Sequence, residues 1–346
     1  MCVTGGDDPA DILDAMKTRT FGVTDLRCSE IGFGTWALGS TWWGKITSGE
    51  GENLLRRALD LGVTFFDTGN VYGLGANEEI VRKALDGVPR DAVQISTKFG
   101  YVLDERRQEH SQGERPQDWS PAHLRESLEQ SLRRLGLDHV DLYQLHNPRM
   151  DAIDADDLFE GLERLRSSGK IRHYGVALGP AIGWRDEGLK AIETRRLASI
   201  QTVYNVLEQD PGRDFLAAAE EHGVGIMARV PTSSGLLEDK YTLETTFPDH
   251  DHRSHRPREW LVEGLQKVER LRFLSEEHDM TMAQAALKFI LAQPAIACVL
   301  PTITNEQELE EWAAASDKPD LTPEDLERIE ELYERNFDVE PAAQQA

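Results

Sequence analysis

The chain has 346 residues, with 38 basic and 62 acidic side chains and a formal net charge of −24. This excess of carboxylates opposes docking on phosphate backbones and on anionic lipid, so neither nucleic acid nor membrane is an expected partner. Cys2, Cys28 and Cys298 form no disulfide or metal spacing, and no stretch of about 18 apolar residues runs unbroken. The Gly- and Asp-rich start carries no basic-then-apolar signal, and the expectation is a soluble cytoplasmic protein. The acidic residues are spread along the chain as on a solvated surface, a composition that equally suits a salt-adapted host.

The chain opens on an expected flexible tail, residues 1–17. Thr18 to Cys28 then reads as a hairpin turning between Gly22 and Asp25, and Ile31-Gly32-Phe33-Gly34-Thr35 as a first strand. Further strands are expected near Val63–Phe66, Val93–Thr97, Val140–Gln144, Ile171–Val176, Ile200–Val203, Val224–Ala228 and Ala297–Leu300. Amphipathic helices lie between them. Ser120-Pro121 ahead of Leu124, Leu128, Leu132 and Leu135 supplies an N-cap, a first-turn proline and one apolar stripe, stopped at Gly136. Leu158, Leu162 and Leu165 up to Gly169, and Met282 to Leu291, read the same way, and the acidic run Glu327 to Glu334 reads as the exposed face of a terminal helix. Eight strands alternating with helices predict a (β/α)8 TIM barrel with an N-terminal β-hairpin, a single domain over residues 18–338 with a tail at 339–346.

Two connections are long enough to invite a functional reading, Leu103–Trp119 after the third strand and Val230–Arg258 after the seventh. The run Asp249-His250-Asp251-His252-Arg253-Ser254-His255 holds metal-ligand types, yet reads better as a solvated loop tip flanked by arginines, and no metal is expected. Gly32-x-Gly34 follows a strand but lacks the third glycine and the helix of a dinucleotide fingerprint. Trp42 and Trp43, near Trp36 after strand one, are candidates for lining a substrate pocket.

In a barrel, residues just past the strand ends share one face. Asp67 ends the second strand with Tyr72 in its loop, Lys98 ends the third, and His146 ends the fourth. An isolated carboxylate at a buried strand end needs a partner, and Lys98 is the cation on offer. The sequence here resembles the aldo-keto reductase family. The resemblance rests on Gly34-Thr35-Trp36, Phe66-Asp67-Thr68 with Tyr72-Gly73, Thr97-Lys98-Phe99-Gly100, Leu145-His146, Gln201 to Asn205, and Gly235-Leu236-Leu237 with Lys240-Tyr241. It runs from about Phe21 to the last helix. It implies a (β/α)8 oxidoreductase interconverting an aldehyde or ketone, or a sugar, with its alcohol by hydride transfer with NAD(P)(H), with the cofactor and a small substrate as its partners. Its implied catalytic residues are Asp67, Tyr72, Lys98 and His146. Tyr72 would protonate the oxyanion that hydride delivery leaves, Lys98 and Asp67 would assist it, and His146 would donate to the carbonyl oxygen.

For the cofactor the resemblance implies contacts from Thr35, Trp36, Asn147, Gln201, Arg229, Pro231, Thr232, Gly235, Leu236, Thr302, Thr304, Glu308 and Trp312. Three of these regions depart from the family pattern. The Ser-Asn pair that usually holds the nicotinamide carboxamide is Ala177-Leu178 here. The aromatic that often stacks on the nicotinamide is Arg229, whose planar guanidinium can also stack. The adenosine end, Pro301 to Trp312, offers Glu308 and no cation for a 2′-phosphate, which favours NAD(H) over NADP(H). A slow-turnover cofactor-sensing protein on the same barrel is the rival reading, and a metal-dependent barrel hydrolase a more distant one.

Overall fold

The structure, a computed structural model, describes residues 16–38, 46–103, 115–179 and 184–340. Among the described residues there are ten strands. β1 (Thr18–Thr20) and β2 (Arg27–Ser29) pair antiparallel as the expected hairpin. β3 (Phe33–Gly34), β4 (Phe65–Asp67), β5 (Gln94–Phe99), β6 (Val140–His146), β7 (Ile171–Ala177), β8 (Ser199–Val203), β9 (Gly225–Arg229) and β10 (Ile296–Leu300) form one parallel sheet in sequential order. Single parallel bridges between Ile31 and Val299 and between Gly34 and Thr302 join its two edges. The sheet is thus a (β/α)8 barrel, with strands such as Ser199–Val203 and Ile296–Leu300 buried at every residue, as strands covered on both faces must be.

The helices start and stop where their local chemistry dictates. Ser120 Oγ accepts the His123 amide at 3.2 Å, Pro121 occupies the first turn, and Gly136 ends the helix Pro121–Leu135 in the left-handed region at φ 67°. Thr47, Thr281 and Thr322 each close a reciprocal capping box on the helix that follows. The terminal helix Pro323–Glu334 buries Ile329 and Leu332 and leaves Glu327, Glu330, Glu331 and Glu334 exposed, as expected. No helix among the described residues is long and apolar enough to cross a membrane.

The hairpin plugs one end of the barrel. Phe21 and Leu26 are fully buried in a cluster with Phe65, Leu142, Met227, Cys298 and Leu300 from inside the sheet. Gly22, at φ 49°, allows this approach, since a Cβ there would drive into the Gly223 carbonyl. Cys28 and Cys298, far apart in sequence, meet in this plug as free buried thiols. Residues 1–15 and 341–346 of the expected tails lie outside the described residues, but two residues assigned to tails belong to the body. Met16 and Val339 are buried in the main core because apolar surface there is covered by the barrel's outer layer.

Candidate active site

The C-terminal ends of β4, β5 and β6 bring the four expected groups together. Lys98, fully buried, donates from Nζ to Asp67 Oδ2 at 2.6 Å and to the Thr68 carbonyl at 2.7 Å. The same ammonium faces the Tyr72 hydroxyl and lies 4.9 Å from the centre of its ring. Burial works to discharge Lys98, but the charges of Asp67 and then Tyr72 outweigh it, and the lysine is held above its ordinary value.

His146 completes the cluster. Its ring stands edge-on to Tyr72 at 5.6 Å and to Tyr101 at 5.0 Å, between centroids. Burial, and then the positive charges of Lys98 and Arg229, push its pKa well below the imidazole value. The ring is therefore neutral at neutral pH and presents one N–H donor. Gln117 fixes the strand end beneath it by donating to the His146 carbonyl at 3.2 Å and the Asn147 carbonyl at 3.0 Å.

Two glutamines also converge on the carboxylate. Gln144 Nε2 donates to Asp67 Oδ1 at 3.0 Å and to Ser96 Oγ at 2.7 Å, and Gln201 Nε2 donates to Asp67 Oδ2 at 2.9 Å. Gln201 was expected among the cofactor contacts; here one of its two amide N–H groups goes to Asp67. Gln144 was not singled out from sequence, although a polar residue two positions before His146 on a buried strand must point into the barrel and find a partner. Thr68 Oγ1, Asn70 Oδ1, Gln144 Oε1 and His146 Nδ1, all buried, have no hydrogen-bond partner among the described residues. Unsatisfied polar atoms gathered around a single cluster are what a polar ligand would meet.

The expected cofactor residues divide. Thr35 is buried and donates to the Asp67 carbonyl at 3.1 Å, tying strand one to the site. Trp36 is exposed on the same face, edge-on to His252 at 5.8 Å. Asn147, at φ 56°, donates from Nδ2 to the Tyr101 hydroxyl at 2.8 Å. Arg229 ends β9 and donates from Nη2 to the carbonyls of Leu178 at 3.0 Å and Gly179 at 2.9 Å. Its guanidinium thus reaches the strand end where Ala177 and Leu178 replace the usual polar pair. Pro231 and Thr232 lead into the turn Ser233–Glu238, where Ser233, Ser234 and Gly235 all take positive φ. Leu236 points away, against Gly264, so only its backbone faces the loop.

At the strand-eight end, Thr302 bridges to Gly34, and Thr304 donates to Glu308 Oε2 from its amide at 2.9 Å and its hydroxyl at 2.7 Å. The expectation of no cation here is corrected. Lys240, from the seventh loop, reaches within 3.5 Å of Glu308 Oε1 and also pairs with Glu238. One ammonium between two carboxylates leaves the region net negative. Trp312 is only 2% exposed and packs in the main core.

The loop after β9 also differs from expectation. Asp251 is buried, not solvated, because it accepts the Arg253 amide at 2.9 Å and the Arg253 side chain at 2.7 Å, while Arg253 lies over Phe247 at 4.9 Å. Among the described residues no group of three or more His, Cys, Asp or Glu could hold a metal ion. Trp42, Trp43 and residues 104–114 of the earlier long loop lie outside the described residues.

Residues 30–334 match the model of the Aldo/keto reductase family. Aldo-keto reductase YhdN of Bacillus subtilis is 32% identical over 291 residues, 81% of this chain and 82% of that protein. Uncharacterized oxidoreductase YqkF of the same organism is 29% identical over 91% of this chain and 96% of its own length. Among solved structures, glycerol dehydrogenase AKR11B4 from Gluconobacter oxydans superposes with a TM-score of 0.79 at 26% identity, covering 95% of this chain and 98% of that one. The holo form of aldo-keto reductase AKR11C1 from Bacillus halodurans gives 0.75 at 27% identity with the same coverage. The chain belongs to the aldo/keto reductase family, and with it to the NAD(P)-dependent oxidoreductases that interconvert carbonyls and alcohols.

Proposed function

We propose that the protein exchanges hydride between NAD(H) and a small aldehyde, sugar or polyol in the cytoplasm, with Tyr72 as the group that gives or takes the proton. The observation that carries this reading is Lys98, whose ammonium lies between Asp67 and the Tyr72 hydroxyl at adjoining strand ends, beside a neutral His146. A bound nicotinamide supplies or accepts the hydride. The protein's own part is proton management. Tyr72 releases its proton to the oxygen of the reduced carbonyl, and Lys98 meets the negative charge that appears on Tyr72. Asp67, held by three side-chain donors, keeps Lys98 in place. His146 donates to the same oxygen and orients it.

The preference for NAD(H) is supported by the two carboxylates around Lys240, which oppose a 2′-phosphate, while Glu308 suits a free hydroxyl. A polyol or sugar substrate is supported by the glycerol dehydrogenase among the structural neighbours. The rival, a cofactor sensor that hardly turns over, has the loss of the Ser-Asn pair in its favour and the assembled proton machinery against it.

The test is titration of the purified protein with NADH and NADPH, then turnover with a panel of aldehydes, sugars and polyols followed at the reduced-nicotinamide absorbance. Binding with turnover is expected, and Tyr72→Phe should lower kcat by roughly 10²–10⁴-fold while leaving NADH binding intact. Binding without turnover on any substrate would favour the sensor, and unchanged kcat in Tyr72→Phe would remove the tyrosine from its role.

A further inference from the structure

Arg229 is a cation with no anion of its own. Both hydrogen bonds of its side chain go to neutral carbonyls, those of Leu178 and Gly179, and no carboxylate pairs with it among the described residues. Most other described arginines sit against a carboxylate, as Arg134 does with Glu78 at 2.6 Å. A guanidinium stays charged in a protein, and a desolvated charge without a counterion is costly. The acidic groups that act on it most strongly are the Tyr72 phenol, which carries charge only when ionised, then Asp67 and Glu208. Asp67 is already committed to Lys98, and Glu208 accepts from Asn205 and Ser233, each at 2.9 Å. The positive charge is therefore held beside the catalytic cluster and not cancelled by a paired carboxylate among the described residues.

We propose that Arg229 makes the site discriminate between the redox states of its cofactor, holding the reduced form more tightly than the oxidised form. This rests on the nicotinamide reading above. The reduced nicotinamide ring is neutral. When hydride, a proton with two electrons, passes to the carbonyl carbon, the ring left behind carries a positive charge. A guanidinium fixed at the end of β9, beside Tyr72 and His146, repels that charge and has no such quarrel with the reduced ring. An aromatic side chain at the same place would cushion both forms alike or favour the cationic one. The carbonyls of Leu178 and Gly179 serve as the clamp that holds the guanidinium here, on the strand whose Ala177-Leu178 has no polar side chain to offer. The functional consequence is direction. A site that releases oxidised cofactor readily and retains reduced cofactor is suited to carbonyl reduction whenever both forms are present.

The test reads binding, not turnover. Dissociation constants for NADH and NAD+ are measured by fluorescence and calorimetry on the wild type and on Arg229→Gln, Arg229→Tyr and Arg229→Lys, each checked for folding by circular dichroism. A unit charge a few ångströms from the ring, at the dielectric of a partly wet site, predicts that the ratio of the NAD+ to the NADH constant falls roughly tenfold in the Gln and Tyr variants. The Lys variant keeps most of the ratio. A loss of packing alone would weaken both forms together. An unchanged ratio, as from an equal loss of affinity for both forms, would overturn the proposal. A wild type that binds neither NADH nor NADPH would instead bring down the functional reading on which it rests. If the Gln variant does not fold, the Tyr and Lys variants decide the question by the same ratio.

Discussion

Asp67 and Lys98 form a buried pair at 2.6 Å, with side chains 5% and 1% exposed, and the energetics of such a pair lie mainly in what happens when one partner goes. Removing Lys98 leaves a carboxylate in the barrel with only two glutamine donors, and an uncompensated buried charge costs about 3–5 kcal/mol. Lys98→Met should therefore lower the stability by that order. The double variant Lys98→Met with Asp67→Asn should recover most of it, because the charge then disappears, while turnover stays lost in both. Urea unfolding of the wild type, the two single variants and the double gives the comparison, and additive losses would show that the pair is not coupled. Asp67, Lys98 and His146 could be picked out in the sequence because each sits at or near the end of a strand that its own apolar run defines, and Tyr72 because it lies in the short loop after the first of them. Gln144 and the grip of Arg229 on the Leu178 and Gly179 carbonyls were not, since both depend on which side chains face one another across the barrel. That information lies in the register between strands, and no single stretch of sequence carries it.

At the scale of elements, the hairpin and the loops show how backbone conformation decides what side chains cannot. Gly22 at φ 49° sits against Gly223 and lets Phe21 enter the barrel floor. Gly22→Ala should destabilise by about 2–3 kcal/mol, combining an unfavourable φ with a clash against backbone that cannot swing aside. Chemical denaturation measures it, and a neutral result would mean that the hairpin is free to lift. The sequence marked this turn by its glycine and its flanking strands, and it marked the helix ends by Ser120, Pro121 and Gly136. It could not mark Lys240, which approaches Glu308 from 68 residues away. Glu308→Arg converts that pair of carboxylates around one ammonium into a net positive region. The ratio of NADPH to NADH affinity should rise roughly tenfold, as expected for one or two new charge-assisted contacts to a phosphate. Equal affinities before and after would place the 2′-position elsewhere. The variant also removes the acceptor that holds the Thr304 amide and hydroxyl, so a small loss of stability should accompany the switch.

At the scale of the whole molecule, the closed barrel was legible as a count of eight alternating strands, while the form of its seam, single bridges at Ile31 and Gly34 and not a long ladder, was not. What the composition did predict is electrostatic. With a net charge of −24, the folded chain works against its own repulsion at low ionic strength. Many exposed ion pairs offset part of this, such as Arg57 with Glu310 at 2.5 Å and Arg213 with Glu330 at 2.5 Å. Each such exposed pair contributes little, and salt weakens it too. The two effects of salt therefore oppose one another, and their sum decides the outcome. Repulsion acts between all the excess carboxylates and over longer distances, so it is the term that screening removes most completely as the Debye length falls from about 10 Å at 0.1 M to about 3 Å at 1 M. The melting temperature should accordingly rise across that range of potassium chloride. A melting temperature that falls with added salt would show instead that the surface pairs dominate. The choice of chloride over sulfate matters to the reading, because sulfate strengthens apolar burial in any protein and would raise the melting temperature without reference to charge.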